Sequence, residues 1–303
     1  MKYSIIIPHK NCVDLLLRCI NSIPNRLDVE VIVVDDNSSK ESKCELGKIS
    51  KENLEIIYTE SGKGAGYARN VGLLSAKGEW IFFADADDYF SENAFEVFDS
   101  VASNLYDIIY FKHRSVFSDT GETCERFNIR NALIDNYINN NIFDNLVNLK
   151  YKDVVPWAKL YKRILIDSKH QLFDEVPASN DVTFVSHMAY YANNILVSEL
   201  PIYICTYRKG SITRTDSREN MYSRYVVSLK YSRFMDEINH KRLRPRIISR
   251  IINAWRHYGW LEAKKYIDTA KQYNVNIFTN MGFTIKEIVG KLAIMLDRSK
   301  YAG

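Results

Sequence analysis

The chain has 303 residues, 46% hydrophobic and 26% charged, with a formal net charge of +4, the proportions of an ordinary soluble globular protein. No window approaches about eighteen uninterrupted apolar residues, which excludes a membrane-spanning helix. Ile5-Ile6-Ile7 ahead of Pro8 is too short an apolar run for a secretory signal, so a cytoplasmic location is expected.

Residues 3–8 read as a buried strand. Over 13–23, Val13, Leu16, Leu17, Ile20 and Ile23 fall at helical spacing. The stretch 30–35 contains Val31-Ile32-Val33-Val34, a continuous β-branched run suited to a parallel strand covered on both faces. A third strand is expected over 54–58 and a helix over 66–76, with Gly78 as its stop. A fourth strand over 80–84 runs into Asp85-Ala86-Asp87-Asp88. Strand, helix, strand, strand, helix, strand predicts a doubly wound α/β layer with a mainly parallel sheet. Beyond it, 92–103 reads as a helix and 108–111 as a strand. The Asn-rich segment 129–149 has helical stretches, 157–212 mixes strand and helix fragments, and the pattern is helical from about Met221 onward.

Ligands of open α/β sheets bind outside the carboxyl ends of strands. Asp85, Asp87 and Asp88 lie at such an end, and three carboxylates in four residues repel one another unless a cation sits among them. A hard divalent ion bridging carboxylate and diphosphate oxygens meets that need. The bland alternative, an acidic turn capping the next helix, accounts for Asp88 alone better than for the cluster. Val34-Asp35-Asp36-Asn37-Ser38 ends a second strand in the same way, where one carboxylate would accept hydrogen bonds from a base or ribose; a strand-to-helix turn is the competing reading. Pro8-His9-Lys10-Asn11 ends the first strand and brings His9 and Lys10 within reach of a base or phosphate. Gly62-Lys63-Gly64-Ala65-Gly66 lacks the spacing of a P-loop or a dinucleotide fingerprint, so Arg69, one turn into the next helix, is the better anion holder.

Taken in order, Ile-Ile-Pro, Val-Asp-Asp-Asn-Ser, Ala-Arg-Asn-Val-Gly and Phe-Phe-Ala-Asp-Ala-Asp-Asp resemble the family 2 glycosyltransferases of the GT-A fold. The similarity covers about residues 1–115 and resumes at Trp157-Ala158-Lys159-Leu160-Tyr161, at Asn180-Asp181-Val182-Thr183-Phe184 and at Tyr207-Arg208-Lys209-Gly210-Ser211-Ile212. The resemblance implies a GT-A (Rossmann-like) α/β fold: a mixed, mainly parallel sheet flanked by helices, with a C-terminal helical extension. It implies a catalytic domain over 1–220, with a nucleotide-binding half (1–115) and an acceptor-side half (116–220), followed by a basic helical region over 221–303. It further implies that Asp36 contacts the uracil of a UDP-sugar, with Pro8 and His9 lining that pocket and Arg69 near the base or diphosphate. Asp85 and Ala86 would border the ribose, and Asp87 would bind manganese or magnesium with Asp85 in its shell; Asp88 is the weaker metal candidate. Asp181 matches the catalytic base, Trp157 and Lys159 the acceptor side, and Arg208 and Ser211 a segment near the diphosphate. Two positions depart from the family pattern: Lys10 stands where an aromatic is frequent, and Asn180-Asp181 replaces the common Glu-Asp, which gives the base a neutral neighbour.

The chemistry implied is direct displacement with inversion, the metal-bound carboxylates stabilising the leaving group and Asp181 taking the acceptor proton. A sugar nucleotidyltransferase is the nearest rival, but it would carry a Gly-rich basic loop where Pro8-His9-Lys10-Asn11-Cys12 stands. An Asp-x-Asp phosphatase would place its acids on the first strand. A non-catalytic membrane-associated scaffold is the alternative outside enzymology, and intact Asp87 and Asp181 speak against it.

From Pro201 onward, 20 Lys and Arg face 8 Asp and Glu, leaving the preceding part net acidic. Helical faces over 246–260 and 284–298 set isoleucines and leucines against Arg246, Arg250, Arg256, Lys286, Lys291 and Arg298. They suit either packing on the catalytic domain or peripheral docking on an anionic inner-leaflet surface, where a lipid-linked glycan acceptor of capsule or lipopolysaccharide synthesis would be presented. No recognised nucleic-acid-binding module is present. Five scattered cysteines without CxxC spacing read as free thiols.

Overall fold

A computed structural model describes residues 1–207 and 217–278. The chain divides into two compact units, Met1–Ser223 and Arg224–Gly303. Arg208, Ser211 and the basic helix expected over 284–298 lie outside the described residues.

The first unit begins with β1 (Tyr3–His9), α1 (Val13–Asn21), β2 (Val29–Asp35), α2 (Lys40–Leu46), β3 (Leu54–Tyr58), α3 (Ala65–Ser75) and β4 (Trp80–Phe83). It continues with β5 (Tyr89–Phe90), α4 (Ala94–Val101), β6 (Ile108–Phe117), α5 (Asn128–Asn139), α6 (Phe143–Lys152), β7 (Lys159–Lys162), α7 (Arg163–Lys169), α8 (Val182–Tyr191) and β8 (Ile195–Tyr207). These strands form one mixed sheet in the order β3-β2-β1-β4-β7-β6-β8-β5. β3, β2, β1 and β4 are mutually parallel, while β7 runs antiparallel to both β4 and β6.

Period-2 alternation splits the β1 isoleucines between two layers. Ile5 and Ile7 pack with Leu16, Val31, Val33 and Phe82 on one face. Ile6 packs with Ile81, Phe83, Tyr110, Phe184 and Met188 on the other, and Ile32 and Val34 meet Ala68 of α3. Both faces are therefore covered, as the unbroken β-branched run of β2 requires. Each buried Val, Ile, Leu, Met or Phe among them is worth about 1.5–3 kcal/mol relative to exposure. The order reverses beside β1, whose neighbours are β2 and β4, and this topological switch point opens a crevice at the carboxyl ends of those strands.

Two local expectations are corrected. Gly78 does not stop α3, which ends at Ser75. Instead a Cβ at Gly78 would lie 2.5 Å from both Ser4 N and Ser4 Oγ, and its N–H donates to Ser4 Oγ at 2.7 Å, so glycine is needed where the chain crosses β1. The predicted helix over 246–260 is broken at Gly259, whose φ of +81° suits glycine alone.

Helix α9 (Arg218–Glu237) leads into the second unit, where α10 (Ile247–Tyr258) and α11 (Trp260–Gln272) follow. α10 buries Ile247, Ile251 and Ala254, and α11 buries Ala263, Tyr266 and Ala270. Tyr225 stacks on Tyr266 with ring centroids 4.3 Å apart and donates its hydroxyl to the Tyr266 carbonyl at 2.7 Å. Among the described residues no helix is long and apolar enough to cross a membrane. All five cysteines are free thiols.

Candidate active site

The turn after β4 is held by its backbone. The Asp85 N–H donates to Tyr203 Oη at 2.8 Å, and the Asp87 carbonyl accepts from Arg18 Nη2 at 2.5 Å and Thr206 Oγ1 at 2.6 Å. Ala86 is buried, while Asp85 and Asp87 keep partly exposed side chains. Asp88 points the other way, buried and accepting the Thr206 N–H at 2.7 Å. Its place as a metal ligand is thus corrected: it ties the turn to β8. Burial, then the charges of Asp87 and Asp85, push its pKa well above the usual carboxylate range. Burial together with the same acids raises the Cys19 and Cys205 thiols. The turn therefore concentrates negative charge, which Arg69 offsets in part at Asp85.

Among the described residues, no group of three or more His, Cys, Asp or Glu side chains forms a metal cage. Asp85 and Asp87 suit a different arrangement, in which a hard cation takes one or two carboxylates and completes its shell with phosphate oxygens and water. The negative potential of the turn favours such an ion.

Arg69 is the hub of the crevice. Its Nη2 donates to Asp85 Oδ1 at 2.7 Å and its Nη1 to Asn180 Oδ1 at 2.9 Å, while the guanidinium lies 5.4 Å from the centre of the Phe173 ring. It reaches both partners because Gly66, Arg69 and Asn70 share one helical face at i, i+3 and i+4. A Cβ on Gly66 would sit 2.2 Å from the Asp174 carbonyl oxygen and 3.0 Å from Asn180 Cβ. Asn70 clamps Phe173 twice, accepting its N–H at 2.8 Å and donating to its carbonyl at 3.1 Å. The Asp174 N–H closes the loop onto the Asn180 carbonyl at 3.1 Å. Gly66 and Asn70 escaped the sequence reading, although their spacing to Arg69 was a usable signal. Arg18, Tyr203 and Thr206 carry no local signal.

Asp181 follows Asn180 at the N-terminus of α8, partly exposed, with no side-chain capping bond. Burial raises its pKa, the Arg69 charge opposes that shift and the Asp85 charge adds to it. The loop carrying Asn180 and Asp181 and the acidic turn thus sit within each other's field, bridged by Arg69.

The other strand ends are built differently from expectation. His9 is a correction: its side chain is fully buried, with Nδ1 3.0 Å from Asp35 Oδ1 and Nε2 accepting the Cys12 N–H at 3.2 Å. Both ring nitrogens are committed, so His9 braces the floor while Pro8 beside it keeps partial exposure. Burial raises Asp35, but bonds from Ser38 and His9 outweigh it and leave the pKa below the ordinary value. The Asp36 carboxylate accepts the Lys63 N–H at 2.8 Å, the Gly64 N–H at 3.0 Å and Lys10 Nζ at 3.3 Å. The glycine-rich loop therefore spends two amides on Asp36.

Lys159 is a further correction. It is 1% exposed and donates to the Val155 carbonyl at 2.8 Å, with Asp153 Oδ2 also at 2.8 Å. Asp153 pairs with Arg130 as well, and the Arg130 guanidinium lies 5.4 Å from the Trp157 ring. Trp157, 4% exposed, stacks on Tyr203 at 5.6 Å. Both residues hold the sheet together beneath the crevice and do not line an open acceptor face. Nearby His113 is lowered by burial to about 4 and is neutral at pH 7.

Residues 4–168 match the family model described as Glycosyl transferase family 2. The chain belongs to that family. This glycosyltransferase is 24% identical over 316 aligned residues to glycosyltransferase GlyG of Streptococcus pneumoniae serotype 4, covering 95% of this chain and 98% of that protein. It is 30% identical over 248 residues to a poly(ribitol-phosphate) beta-glucosyltransferase of Bacillus spizizenii, covering 78% of this chain but only 36% of that longer protein. In fold it is similar to S. aureus TarS 1-349 in complex with UDP-GlcNAc, with a TM-score of 0.69, 22% identity, and coverage of 90% of this chain and 80% of that one. Membership sets aside the nucleotidyltransferase and phosphatase readings and bears out the α/β fold with its helical C-terminal part.

Proposed function

We propose that this glycosyltransferase moves a sugar from a UDP-sugar to a glycan acceptor in bacterial surface-polysaccharide synthesis, by one inverting displacement. The observation that carries the reading is the Arg69 bridge, one guanidinium spanning the donor-edge Asp85 and the base-loop Asn180. Similarity to an enzyme named for poly(ribitol-phosphate) supports the acceptor class, and a fold neighbour carrying UDP-GlcNAc supports the donor class. A lipid-linked glycan fits the same acceptor role.

Asp36 and Pro8 would receive the uracil, and Arg69 would meet the diphosphate. A divalent cation held by Asp87 with Asp85 would offset negative charge on the departing diphosphate. Asp181 would take the proton of the attacking hydroxyl, and its raised pKa brings it closer to the working pH of a general base. Arg208 and Ser211 stay assigned to the diphosphate side by resemblance alone. The basic C-terminal helices would hold the enzyme on an anionic membrane surface on the cytoplasmic side.

Calorimetric titration of UDP, with and without manganese, tests the donor site. Binding should require the metal in the native chain and be lost in Asp87→Ala; UDP binding indifferent to both would overturn it. A second variant tests the positioning of the base loop. In Gly66→Ala the new methyl displaces the Asp174 backbone, and kcat/KM should fall about 100-fold, the effect expected for a misplacement of about 1 Å. The thermal midpoint should fall by several degrees, as for the about 1–3 kcal/mol that overpacking costs, while UDP titration checks that the variant is folded. Unchanged transfer would show that the loop does not need this register.

A further inference from the structure

We propose that the corner between α10 and α11 is a membrane-insertion tip that seats in the headgroup layer of an anionic phospholipid bilayer. It deepens the attachment just described and is independent of the transfer chemistry.

Gly259 alone joins the two helices. Its φ of +81° turns the chain in one residue, and a Cβ there would meet nothing within 4 Å. The turn projects Tyr258, Trp260 and Leu261, which are 37%, 61% and 82% exposed. Isolated exposed apolar side chains are common on any protein, and Leu27, Leu74 and Leu105 stand singly here. Three large ones around a single glycine form a different feature. A tyrosine and a tryptophan beside a leucine are the side chains that favour the water–hydrocarbon boundary, each with an apolar body and a polar edge.

Charge identifies the surface. Arg256 and His257 precede the tip, and Lys264 and Lys265 follow it one turn into α11, all exposed. The acid between them, Glu262, is buried. Over 224–278 there are twelve lysines and arginines against four acids. A second copy of so basic a unit would be repelled, whereas anionic headgroups would be attracted, each nearby cation adding about fivefold to partitioning. The basic ring would draw the tip to the surface, and the aromatic and aliphatic side chains would enter it.

The test is flotation of the full chain with vesicles of phosphatidylcholine alone or with a third phosphatidylglycerol, alongside W260S/L261S and R256E/K264E. All four positions are exposed, so the variants should fold, and UDP titration checks that the donor site is unchanged in each. The native chain should float with the anionic vesicles only. Both variants should lose at least about tenfold in partitioning. Brominated lipids should quench native fluorescence more than that of W260S/L261S, since Trp80 and Trp157 are buried and the half-buried Trp255 is present in both. No flotation of the native chain would overturn attachment as a whole while leaving the transfer reading standing. Flotation unaffected by W260S/L261S, or equal on neutral vesicles, would overturn the tip.

Discussion

Asp181→Asn should lower the rate of sugar transfer about 10²–10⁴-fold, the contribution of a positioned general base, while UDP binding stays as in the native chain. The substitution is close to isosteric. Asp181 makes no side-chain capping bond to α8, so no capping hydrogen bond is removed. UDP release measured in the presence of acceptor reads the rate, and calorimetry reads donor binding. Full transfer by the variant would exclude Asp181 as the base. The pH profile supplies the second arm. Burial lifts the Asp181 pKa above the ordinary carboxylate value, with Arg69 opposing and Asp85 assisting. A raised pKa means that the carboxylate is protonated, and useless as a base, at a higher pH than a free aspartate would be. Transfer should therefore fall as pH drops through that raised value and level off above it. Asp181→Asn should abolish this acid limb in whatever rate remains.

Loss of Asp153 should be the most damaging change outside the crevice. Asp153→Ala leaves the buried Lys159 ammonium and the Arg130 guanidinium without their shared counterion. Removing one partner of a buried ion pair destabilises by about 3–5 kcal/mol, mostly because the remaining charge stays desolvated. Urea unfolding at neutral pH should show that loss as a lowered midpoint with an unchanged slope. Adding Lys159→Met to Asp153→Ala should recover much of it, since the orphaned ammonium is then gone. If the single variant were as stable as the native chain, the cluster would hold nothing together. Burial raises the Asp153 pKa, but Lys159 and Arg130 outweigh it and leave the group below its ordinary value. A depressed pKa contributes stability above the unfolded-state value of about 3.9. That contribution is lost as pH falls through the folded-state value, so the cluster should also set part of the acid unfolding transition.

Lys159 and His9 show why some site assignments did not survive. Both lie in motifs shared with the family, and a lysine or histidine at a strand end reads naturally as a ligand. In the folded chain each is sealed beneath the surface by a carboxylate outside its own motif: Asp35 for His9, and Asp153, shared with Arg130, for Lys159. A positive side chain carries no mark of whether its counterion is a phosphate in a crevice or a carboxylate inside the protein. The glycine-rich loop was read correctly. Its spacing had already spoken against a phosphate cradle, and the Lys63 and Gly64 N–H groups are indeed taken by Asp36.

The sequence by itself determined the layered α/β plan. Val31-Ile32-Val33-Val34 has no polar face to offer water, so its strand must be covered on both sides, and strands of that kind belong to parallel sheets joined by helices. It also determined that acidic clusters end two of the strands, because turn residues directly follow apolar runs and both features are local. Only the tertiary structure decided what those clusters face. Arg69 meets Asp85 sixteen positions on and Asn180 one hundred and eleven positions on. Such pairings follow from sheet order and from the close approach that Gly66 permits, and periodicity along the chain carries no information about which distant loop will arrive there.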